Sequence, residues 1–377
     1  MLDCIIVGSG PAGAAAAYKL GKQGRSVLVL EKAGLSRSKP CGGGVSPAVG
    51  KLLDFDFTPV INNTVSKVKF TRKLEDPVQI ELKNIEPMWM VRRDVFDQFL
   101  IEQAQKQGAE FKDNTEVTSI ASKADGWTVT TKNETYTASY LIAADGATGP
   151  MASWLGFKGG ETFIAALLDV KAEVPAEKLN TANFEFGLLN NGFIWNFPKT
   201  DGYSISGGYF KGKGKPQELK KELENYATKS GLNLANSQYF ESTLKLWNKQ
   251  QPLHTDRAVI AGEAAGIVDP LIGEGVRQAI FSGLKAAEAV DTALAGNAEA
   301  LSEYTEIIQK EWGNDLGLAK NLAGLFYQFT GIAYKIAVKK PYAGQLMAKI
   351  LCGELRYSDV TDEAMKKFKQ KVIPGLG

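Results

Sequence analysis

The strongest constraint on this chain is a pattern near its start, CIIVGSGPAGAAAAYKLGKQGRSVLVLEK, at residues 4–32. An apolar segment leads into a glycine-rich turn, an alanine-rich segment follows, and a second apolar segment ends at Glu31. Gly8, Gly10 and Gly13 give the turn the spacing G-x-G-x-x-G. This order predicts a strand, a tight turn, a helix and a second strand, with a dinucleotide bound at the helix N-terminus. The alternative is a βαβ crossover without a ligand.

The small residues of this turn have separate roles in the prediction. Gly8 permits the tight turn, Gly10 lets the backbone approach a pyrophosphate, and Gly13 lets the helix pack closely on the strand. The unpaired N–H groups of the helix then face the phosphates. Glu31, about 20 residues further on, is placed to bind ribose hydroxyls. We therefore assign Gly8, Gly10, Ala12, Gly13 and Glu31 to the cofactor site.

Two later segments favour FAD over NAD. SYLIAADGATG (139–149) is an apolar strand that ends in Asp145 and Gly146, and RAVIAGEAAGIVDPLIGEGVRQAI (257–280) is a second apolar strand before a glycine-rich loop. The second segment resembles the late strand of flavoproteins of the glutathione-reductase type. That strand ends in Gly-Asp, and its aspartate holds the ribityl chain of the flavin. Here Glu263 occupies the position, so a longer side chain is predicted to reach the ribityl group.

The helix after this strand is predicted to begin within DPLIGEGV. The backbone amides of Gly275 and Val276 then lie at its N-terminus. The partial positive charge there suits the pyrimidine edge of a flavin, which becomes anionic on reduction. The alternative is a turn followed by a surface helix.

An amphipathic helix is predicted within MVRRDVFDQFLIEQAQKQGAEF (90–111) because its apolar residues recur at helical spacing. Arg93 lies in the first turn, where a cation is unfavourable unless it pairs with an anion. An FAD phosphate is one candidate anion, and Asp97, one turn further on, is the other. A short strand, EVTSI (116–120), follows, and we place the backbone of Val117 near the adenine.

Seven stretches carry a resemblance to a known family: VGSGPAGAAAA, KPCGGGVSP, VRRDVFDQFL, IAADGATG, GFIWNFPK, GEAAGIVDPLIGEGVRQA and ILCGELRYSDV. The chain resembles, over nearly its whole length, the geranylgeranyl reductase family within the p-hydroxybenzoate-hydroxylase-like flavoproteins. The resemblance implies an α/β fold, α+β overall, with a Rossmann-type FAD-binding domain, an antiparallel-sheet substrate domain and a C-terminal helical segment. It also implies an enzyme that reduces isolated double bonds of polyprenyl chains on chlorophyll precursors, archaeal-type lipids or quinones.

The stretch KPCGGGVSP (39–47) is implied by this resemblance to line the flavin. Three consecutive glycines are entropically costly, so a close approach to the backbone is expected here. We assign Cys41, Gly42 and Gly44 to the cofactor site on this basis. Cys41 then lies near the reacting face, where its thiol either donates a proton, as a catalytic residue, or shapes the pocket.

The second lobe is predicted to be an antiparallel sheet, because residues 65–84 read as a hairpin and residues 161–249 carry further strand patterns. In GFIWNFPK, the period of two puts Phe193, Trp195 and Phe197 on one face of a strand. The resemblance makes them, together with Pro198, a wall of the prenyl pocket. The alternative is ordinary sheet core.

The last part of the chain is predicted to be helical. Within LAKNLAGLFYQFTGIAYKIAVKK (318–340), apolar residues form one stripe, and a basic end follows. The uncharged run, 321–334, is shorter than the roughly 20 residues that a bilayer span needs. We expect this helix to pack on the FAD lobe, with a peripheral contact at a membrane surface as the alternative.

These patterns divide the chain into three predicted parts. The FAD-binding domain comprises 1–64, 85–160 and 250–298, the substrate domain 65–84 and 161–249, and the helical region 299–377. We expect a monomer.

Composition excludes several other classes of protein. The near balance of 44 Lys+Arg and 42 Asp+Glu argues against a nucleic-acid partner. Three distant cysteines and a first apolar stretch too short for a signal peptide favour a cytoplasmic protein without a disulfide framework. With His254 as the one histidine, neither a histidine-based triad nor a metal site is predicted.

The predicted function is FAD-dependent reduction of isolated polyprenyl double bonds by hydride transfer, with a prenylated lipid, quinone or chlorophyll-type molecule as substrate. No second G-x-G-x-x-G follows a strand, so NADPH as a transient contact, or a reduced carrier, is expected to supply electrons. The alternative is a flavin-dependent monooxygenase or halogenase of the same fold acting on an apolar substrate.

Overall fold

The structure is a computed structural model that describes residues 1–37, 39–158, 160–210, 214–247 and 252–360. Part of the predicted helical region, residues 361–377, therefore lies outside the described residues, as do residues 250 and 251 of the predicted FAD-binding domain.

The described residues form strands that fall into three sheets. In chain order they are β1 (Leu2–Val7), β2 (Val27–Leu30), β3 (Gly44–Val45), β4 (Ile61–Val65), β5 (Lys67–Arg72), β6 (Glu75–Glu81), β7 (Met88–Val91), β8 (Glu110–Lys112), β9 (Val117–Lys123), β10 (Gly126–Thr131), β11 (Thr135–Ala143), β12 (Thr162–Lys171), β13 (Thr181–Phe186), β14 (Gly192–Lys199), β15 (Gly202–Tyr209), β16 (Ser237–Lys245) and β17 (Ala258–Ile260).

The α-helices of the described residues are α1 (Pro11–Lys22), α2 (Arg93–Lys106), α3 (Met151–Trp154), α4 (Ala176–Leu179), α5 (Pro216–Lys229), α6 (Val276–Leu294), α7 (Ala300–Ile308), α8 (Asn314–Gln328), α9 (Thr330–Ala333) and α10 (Pro341–Leu351). Short 3-10 and π segments join some of them, and two of these, Gln309–Gly313 and Tyr334–Val338, continue the C-terminal helices.

The first sheet carries the N-terminal motif, and its strand order is β8-β2-β1-β11-β10-β9, with β17 paired to β11. Strands β8, β2, β1, β11 and β17 are parallel, and β10 and β9 complete the sheet antiparallel. Helices α1 and α6 pack against each other beside it. They approach closely at Gly283, where a Cβ would lie 2.1 Å from the carbonyl oxygen of Ala12. The predicted Rossmann-type unit is therefore confirmed.

The second sheet has the order β16-β12-β15-β14-β13-β5-β6 and is antiparallel except for the β13–β5 pair. The predicted hairpin at residues 65–84 appears as β5 and β6. Helix α5 covers one face with Leu219, Leu223 and Tyr226. A small third sheet, β3-β7-β4, brings the glycine-rich loop beside the others.

Helix α7 packs on α6 beside the first sheet, but α8 to α10 cover the other face of the second sheet. The predicted packing of residues 318–340 on the FAD lobe is therefore wrong. The Phe326 ring lies 4.8 Å from that of Phe186, and the Tyr334 hydroxyl donates to the carbonyl oxygens of Phe70 and Asp76. The predicted single helix is also interrupted at Phe329, where φ is −119° and ψ is 40°. The aromatic side chains on this face of the sheet explain the docking, since burying them requires an apolar cover. Among the described residues, no helix combines the length and apolarity that crossing a membrane requires.

Candidate functional site

The G-x-G-x-x-G turn is closed by contacts that only glycine permits. Gly8 has φ of 100°, and a Cβ there would lie 2.4 Å from the carbonyl oxygen of Ala144. A Cβ on Gly13 would lie 1.9 Å from the carbonyl oxygen of Gly8. A Cβ on Gly10 would meet no atom within 4 Å, because this residue faces open space at the start of α1. The turn therefore leaves the helix N-terminus accessible to a ligand.

Glu31 ends β2 beside this turn and is buried. One carboxylate oxygen accepts hydrogen bonds from the amide and the hydroxyl of Ser9, both at 2.9 Å, and the other accepts from the amide of Ala33 at 3.0 Å. Arg37 pairs with the same carboxylate at 3.2 Å. Glu31 thus fixes the turn and carries negative charge at the edge of the adjacent cavity.

A cavity of about 520 Å³ opens above the turn. Seven predicted cofactor residues line it: Gly8, Gly10, Glu31, Val117, Asp145, Gly146 and Glu263. Three cations that sequence reasoning did not assign also line it: Lys32, Arg37 and Lys39. Its volume lies within the range of small-molecule sites, and its lining includes both cations and acids. We call it the cofactor cavity.

Two buried carboxylates of the cofactor cavity have an oxygen without a protein partner. They are Oδ1 of Asp145 and Oε1 of Glu263. Burial raises the pKa of Asp145, whose other oxygen accepts from the amide of Met151 at 2.9 Å. Glu263 pairs with Lys39 at 3.2 Å through its other oxygen. Unsatisfied buried acceptors are costly unless a donor reaches them. Ligand hydroxyl groups, such as those of a ribityl chain, could donate to these two acceptors.

Eight predicted cofactor residues do not line the cofactor cavity. Cys41, Gly42 and Gly44 line the second cavity described below, and the other five are Ala12, Gly13, Arg93, Gly275 and Val276. Ala12 and Gly13 instead let the helices and strands pack closely. Gly275 and Val276 begin α6, in the helix position predicted for them. Arg93 is buried and binds Asp97 through two hydrogen bonds of 2.7 and 2.8 Å. The sequence left two candidate anions for Arg93, an FAD phosphate and Asp97, and Arg93 contacts Asp97.

The glycine-rich loop has no space for side chains because an aromatic ring packs against its backbone. A Cβ on Gly44 would lie 2.7 Å from the Phe197 ring, and a Cβ on Gly42 would lie 3.0 Å from it. Gly43 has φ of 77° and faces the carbonyl oxygen of Val91. The loop thus contacts the second sheet directly, and any larger side chain would push Phe197 away.

A second cavity, of about 120 Å³, lies between this loop and the sheet. Six predicted residues line it: Cys41, Gly42, Gly44, Phe193, Trp195 and Phe197. Pro40 and Ser242 line both cavities, so the two adjoin. Pro198 is not in its lining, because the next residue along a strand points to the opposite face. We call it the aromatic cavity.

The rings of the aromatic cavity pack on one another. Trp195 stacks on Phe193 with ring centroids 4.4 Å apart and meets Phe184 edge-on at 4.5 Å. Trp195 Nε1 donates to the carbonyl oxygen of Ile272 at 3.1 Å. The wall is therefore rigid, apolar and tied to the loop before α6.

The side chains of Cys41 and Lys199 both bind the backbone of the glycine-rich loop. The Cys41 thiol accepts a hydrogen bond from the amide of Gly43 at 3.4 Å. The buried Lys199 ammonium donates to the carbonyl oxygen of Gly42 at 3.1 Å and to the Ser204 hydroxyl. Burial lowers the pKa of Lys199, although the nearby Asp169 opposes this. Lys199 therefore holds the loop against the sheet.

Sequence reasoning missed several residues at the two cavities, including Lys39, Lys199 and Glu274. Lys39 and Lys199 are the basic residues of KPCGGGVSP and GFIWNFPK, so their positions in those stretches were the available signal. Glu274 lies inside DPLIGEGV, but no residue near it in the sequence indicates which cavity it lines.

Comparison with known proteins agrees with this geometry. The model of a family described as FAD binding domain matches residues 1–307. An uncharacterised protein of Methanosarcina barkeri is 29% identical over 340 residues, which cover 89% of this chain and 86% of that protein. A digeranylgeranylglycerophospholipid reductase of Methanococcus vannielii is 27% identical over 319 residues, covering 80% of each chain.

Solved structures share the fold over almost the whole chain. A geranylgeranyl bacteriochlorophyll reductase-like protein of Thermoplasma acidophilum has a TM-score of 0.80 at 22% identity, covering 99% of this chain and 97% of that one. A flavin-dependent brominase has a TM-score of 0.73 at 21% identity, with 98% of each chain covered. At these identities the likeness concerns the fold alone.

Proposed function

Because this chain belongs to the FAD binding domain family, we propose that it is a flavin-dependent oxidoreductase that saturates isolated double bonds of a polyprenyl chain. The observation that carries the proposal is the contact between the two cavities at Pro40 and Ser242. One cavity is polar and charged, and the other is walled by aromatic rings. An extended apolar substrate placed in the second would therefore reach the end of a cofactor placed in the first.

The residues of the cofactor cavity have the chemistry that FAD requires. We assign the N-terminus of α1, beside Gly10, to the pyrophosphate, with Lys32 and Lys39 as nearby cations. We assign Glu31 to the ribose hydroxyls, and the unpartnered oxygens of Asp145 and Glu263 to hydroxyl donors of the ribityl chain. When bound and reduced, FAD supplies the hydride that an isolated alkene needs.

The aromatic cavity orients the substrate and keeps water away from it. An isolated alkene has no carbonyl group to absorb charge, so its orientation against the cofactor must contribute much of the rate. Stacked rings such as Phe193 and Trp195 hold a flexible chain by contact area and not by hydrogen bonds. The buried Lys199 keeps the glycine-rich loop on the sheet, which excludes water from this side.

The substrate class is proposed from the relatives and from the cavity. The Methanococcus vannielii relative is named for a lipid that carries geranylgeranyl chains. A prenylated lipid, quinone or chlorophyll-type molecule fits the same apolar wall. We propose NADPH or a reduced carrier as the electron donor. The domain boundaries, the monomeric state and a peripheral membrane contact stay predictions.

A flavin-dependent halogenase or monooxygenase is the rival function, since the brominase shares the fold. The two differ in their need for oxygen. Under argon, dithionite-reduced holoenzyme should be reoxidised when a geranylgeranyl lipid is added, as followed by flavin absorbance. Reoxidation that requires oxygen would favour the rival. Bound FAD without any lipid-dependent reoxidation would instead indicate a flavin carrier.

A further inference from the structure

Glu274 lies in the loop between β17 and α6, two residues before the helix begins. It lines the aromatic cavity together with Trp195 and Cys41. Gly273 precedes it with φ of 69°, and a Cβ there would lie 3.6 Å from the Phe193 ring. The loop is thus in van der Waals contact with the aromatic wall, and this places an acid at a mainly apolar surface.

The carboxyl group of Glu274 makes few and long hydrogen bonds for an ionisable group. Its side chain is 8% exposed. One oxygen, Oε2, contacts Arg277 at 3.5 Å and Gln278 at 3.3 Å, both at the long limit for a hydrogen bond. The other oxygen, Oε1, is buried and has no protein partner. Ionisation here would leave an anion partly unpaired in a dry site, which is costly.

The ionisable groups around Glu274 come from three directions. Arg277 lies on α6, Asp269 lies earlier in the same loop, and Cys352 lies at the end of α10. Burial raises the pKa of Glu274, and Arg277 opposes the rise without cancelling it. Asp269 is also buried, and the nearby charge of Glu274 adds to the rise of the Asp269 pKa that burial causes. Burial and the unpartnered Oε1 therefore make the anion of Glu274 less favourable than that of an exposed glutamate, which favours proton uptake at the cavity.

We propose that Glu274 is the catalytic acid that protonates one carbon of the substrate alkene. This role rests on the reductase function proposed above. The O–H bond of Glu274 breaks, and a C–H bond forms at one alkene carbon. The other carbon receives the hydride from the reduced cofactor, so the alkene gains two electrons and two hydrogens. The Glu274 carboxylate regains its proton from water between turnovers.

The assignment also resolves the role of Cys41. Its thiol accepts a hydrogen bond from the amide of Gly43 and takes part in holding the loop. The sequence left two roles open for Cys41, proton donation and shaping of the pocket. With Glu274 as the acid, we assign the second role to Cys41. Cys41→Ser should lower turnover much less than Glu274→Gln, since serine keeps a small polar group in place.

The test compares Glu274→Gln with Glu288→Gln in the FAD-loaded protein. Glu288 is the matched control because it lies on α6, is half-exposed and pairs with Lys19 and Lys285 away from both cavities. With a geranylgeranyl lipid and dithionite under argon, Glu274→Gln should bind the lipid normally and form saturated product roughly 100-fold more slowly, a loss typical of a missing general acid. Glu288→Gln should match the wild type. A Glu274→Gln rate within about threefold of the wild type would overturn the role, since such a change is far below the acid-catalysis range.

A second readout does not depend on turnover. Infrared spectra of the holoprotein in H₂O and D₂O at neutral pH report the C=O stretch of protonated carboxylic acids. Glu274→Gln should remove one such band, Glu288→Gln should keep it, and Asp269→Asn should identify the band of the neighbouring acid. An unchanged spectrum in Glu274→Gln would also overturn the proposal. If the wild type saturates no lipid while the band still depends on Glu274, the reductase function has failed, and the acid role is withdrawn with it.

Discussion

Trp195 Nε1 donates a hydrogen bond to the carbonyl oxygen of Ile272 at 3.1 Å. Trp195 lies on β14 of the second sheet, whereas Ile272 lies in the loop that leads into α6 beside the first sheet. One side chain therefore lines the aromatic cavity and also fixes the loop that carries Glu274. Most of the mechanism proposed here depends on this junction between the two sheets.

Trp195→Ala should weaken lipid binding and slow turnover together. The substitution removes the largest ring of the wall, worth about 3 kcal/mol or more where the space stays unfilled. A poorly held alkene seldom reaches hydride distance. FAD content should hardly change, because the predicted cofactor contacts come from the other sheet. Trp195→Phe keeps one smaller aromatic ring and loses the rest of the indole together with the bond to Ile272, so it should give an intermediate result.

If Trp195 is ordinary sheet core, the outcome differs. The melting temperature of Trp195→Ala would then fall, while kinetics in the folded fraction would stay near normal. Melting temperature, FAD content and lipid turnover measured on one preparation distinguish the two.

Glu31→Ala should weaken FAD binding by about 1–3 kcal/mol, because ribose hydroxyls and the Ser9 amide lose a buried acceptor. Fluorescence titration of apoprotein with FAD measures the change. Glu110→Ala is the matched control, since Glu110 is exposed on the neighbouring strand β8 and should leave FAD affinity unchanged. Equal affinities of Glu31→Ala and the wild type would contradict the assignment of Glu31.

Gly44→Ala should disturb the aromatic cavity. The new methyl group would lie 2.7 Å from the Phe197 ring, so either the ring or the loop must move. We expect lower lipid turnover and a lower melting temperature, with overpacking of this kind costing about 1–3 kcal/mol. Gly317→Ala on α8 is the control, because no atom lies within 4 Å of its Cβ position and helical alanine is favourable. Turnover of Gly44→Ala equal to that of the control would argue against a tight loop.

Asp269 should make stability depend on pH. Burial raises its pKa to about 7, although the amides of Leu271 and Ile272 donate to it. A folded pKa above the unfolded value of about 3.9 means that the folded state holds the proton more tightly. The stabilisation is therefore complete below about pH 4 and is lost as pH rises through about 7.

Asp269→Asn should remove this dependence. Urea unfolding between about pH 4 and pH 7 measures the free energy of unfolding of both proteins. The wild-type value minus the variant value should fall as pH rises, by at most about 1.4 kcal/mol per pH unit. Parallel curves for the two proteins would contradict the raised pKa of Asp269.

Local patterns predicted the parts of the site that lie on one element. The spacing of Gly8, Gly10 and Gly13 predicts a turn because its closest contact is local: a Cβ on Gly13 would lie 1.9 Å from the carbonyl oxygen of Gly8. The period of two along β14 likewise places Phe193 and Trp195 on one face. These features need no knowledge of distant parts of the chain.

Contacts between distant segments could not be predicted in this way. Lys199 holds a loop that lies 157 residues earlier, and Lys39 pairs with Glu263, 224 residues away. Arg93 had two candidate anions, and only the folded chain shows it with Asp97. The C-terminal helices carry an apolar stripe that suits several surfaces, so their docking on the second sheet depends on which aromatic face is left uncovered.

The most direct test of the account is the mass of the product from one anaerobic turnover. FAD-loaded protein is reduced with dithionite under argon and mixed with a digeranylgeranylglycerophospholipid, and the lipid is analysed by mass spectrometry. We predict that the lipid gains the mass of two hydrogen atoms for each double bond reduced, with no oxygen or halogen incorporated. An unchanged lipid under argon, together with an oxygenated or halogenated product in air, would contradict it.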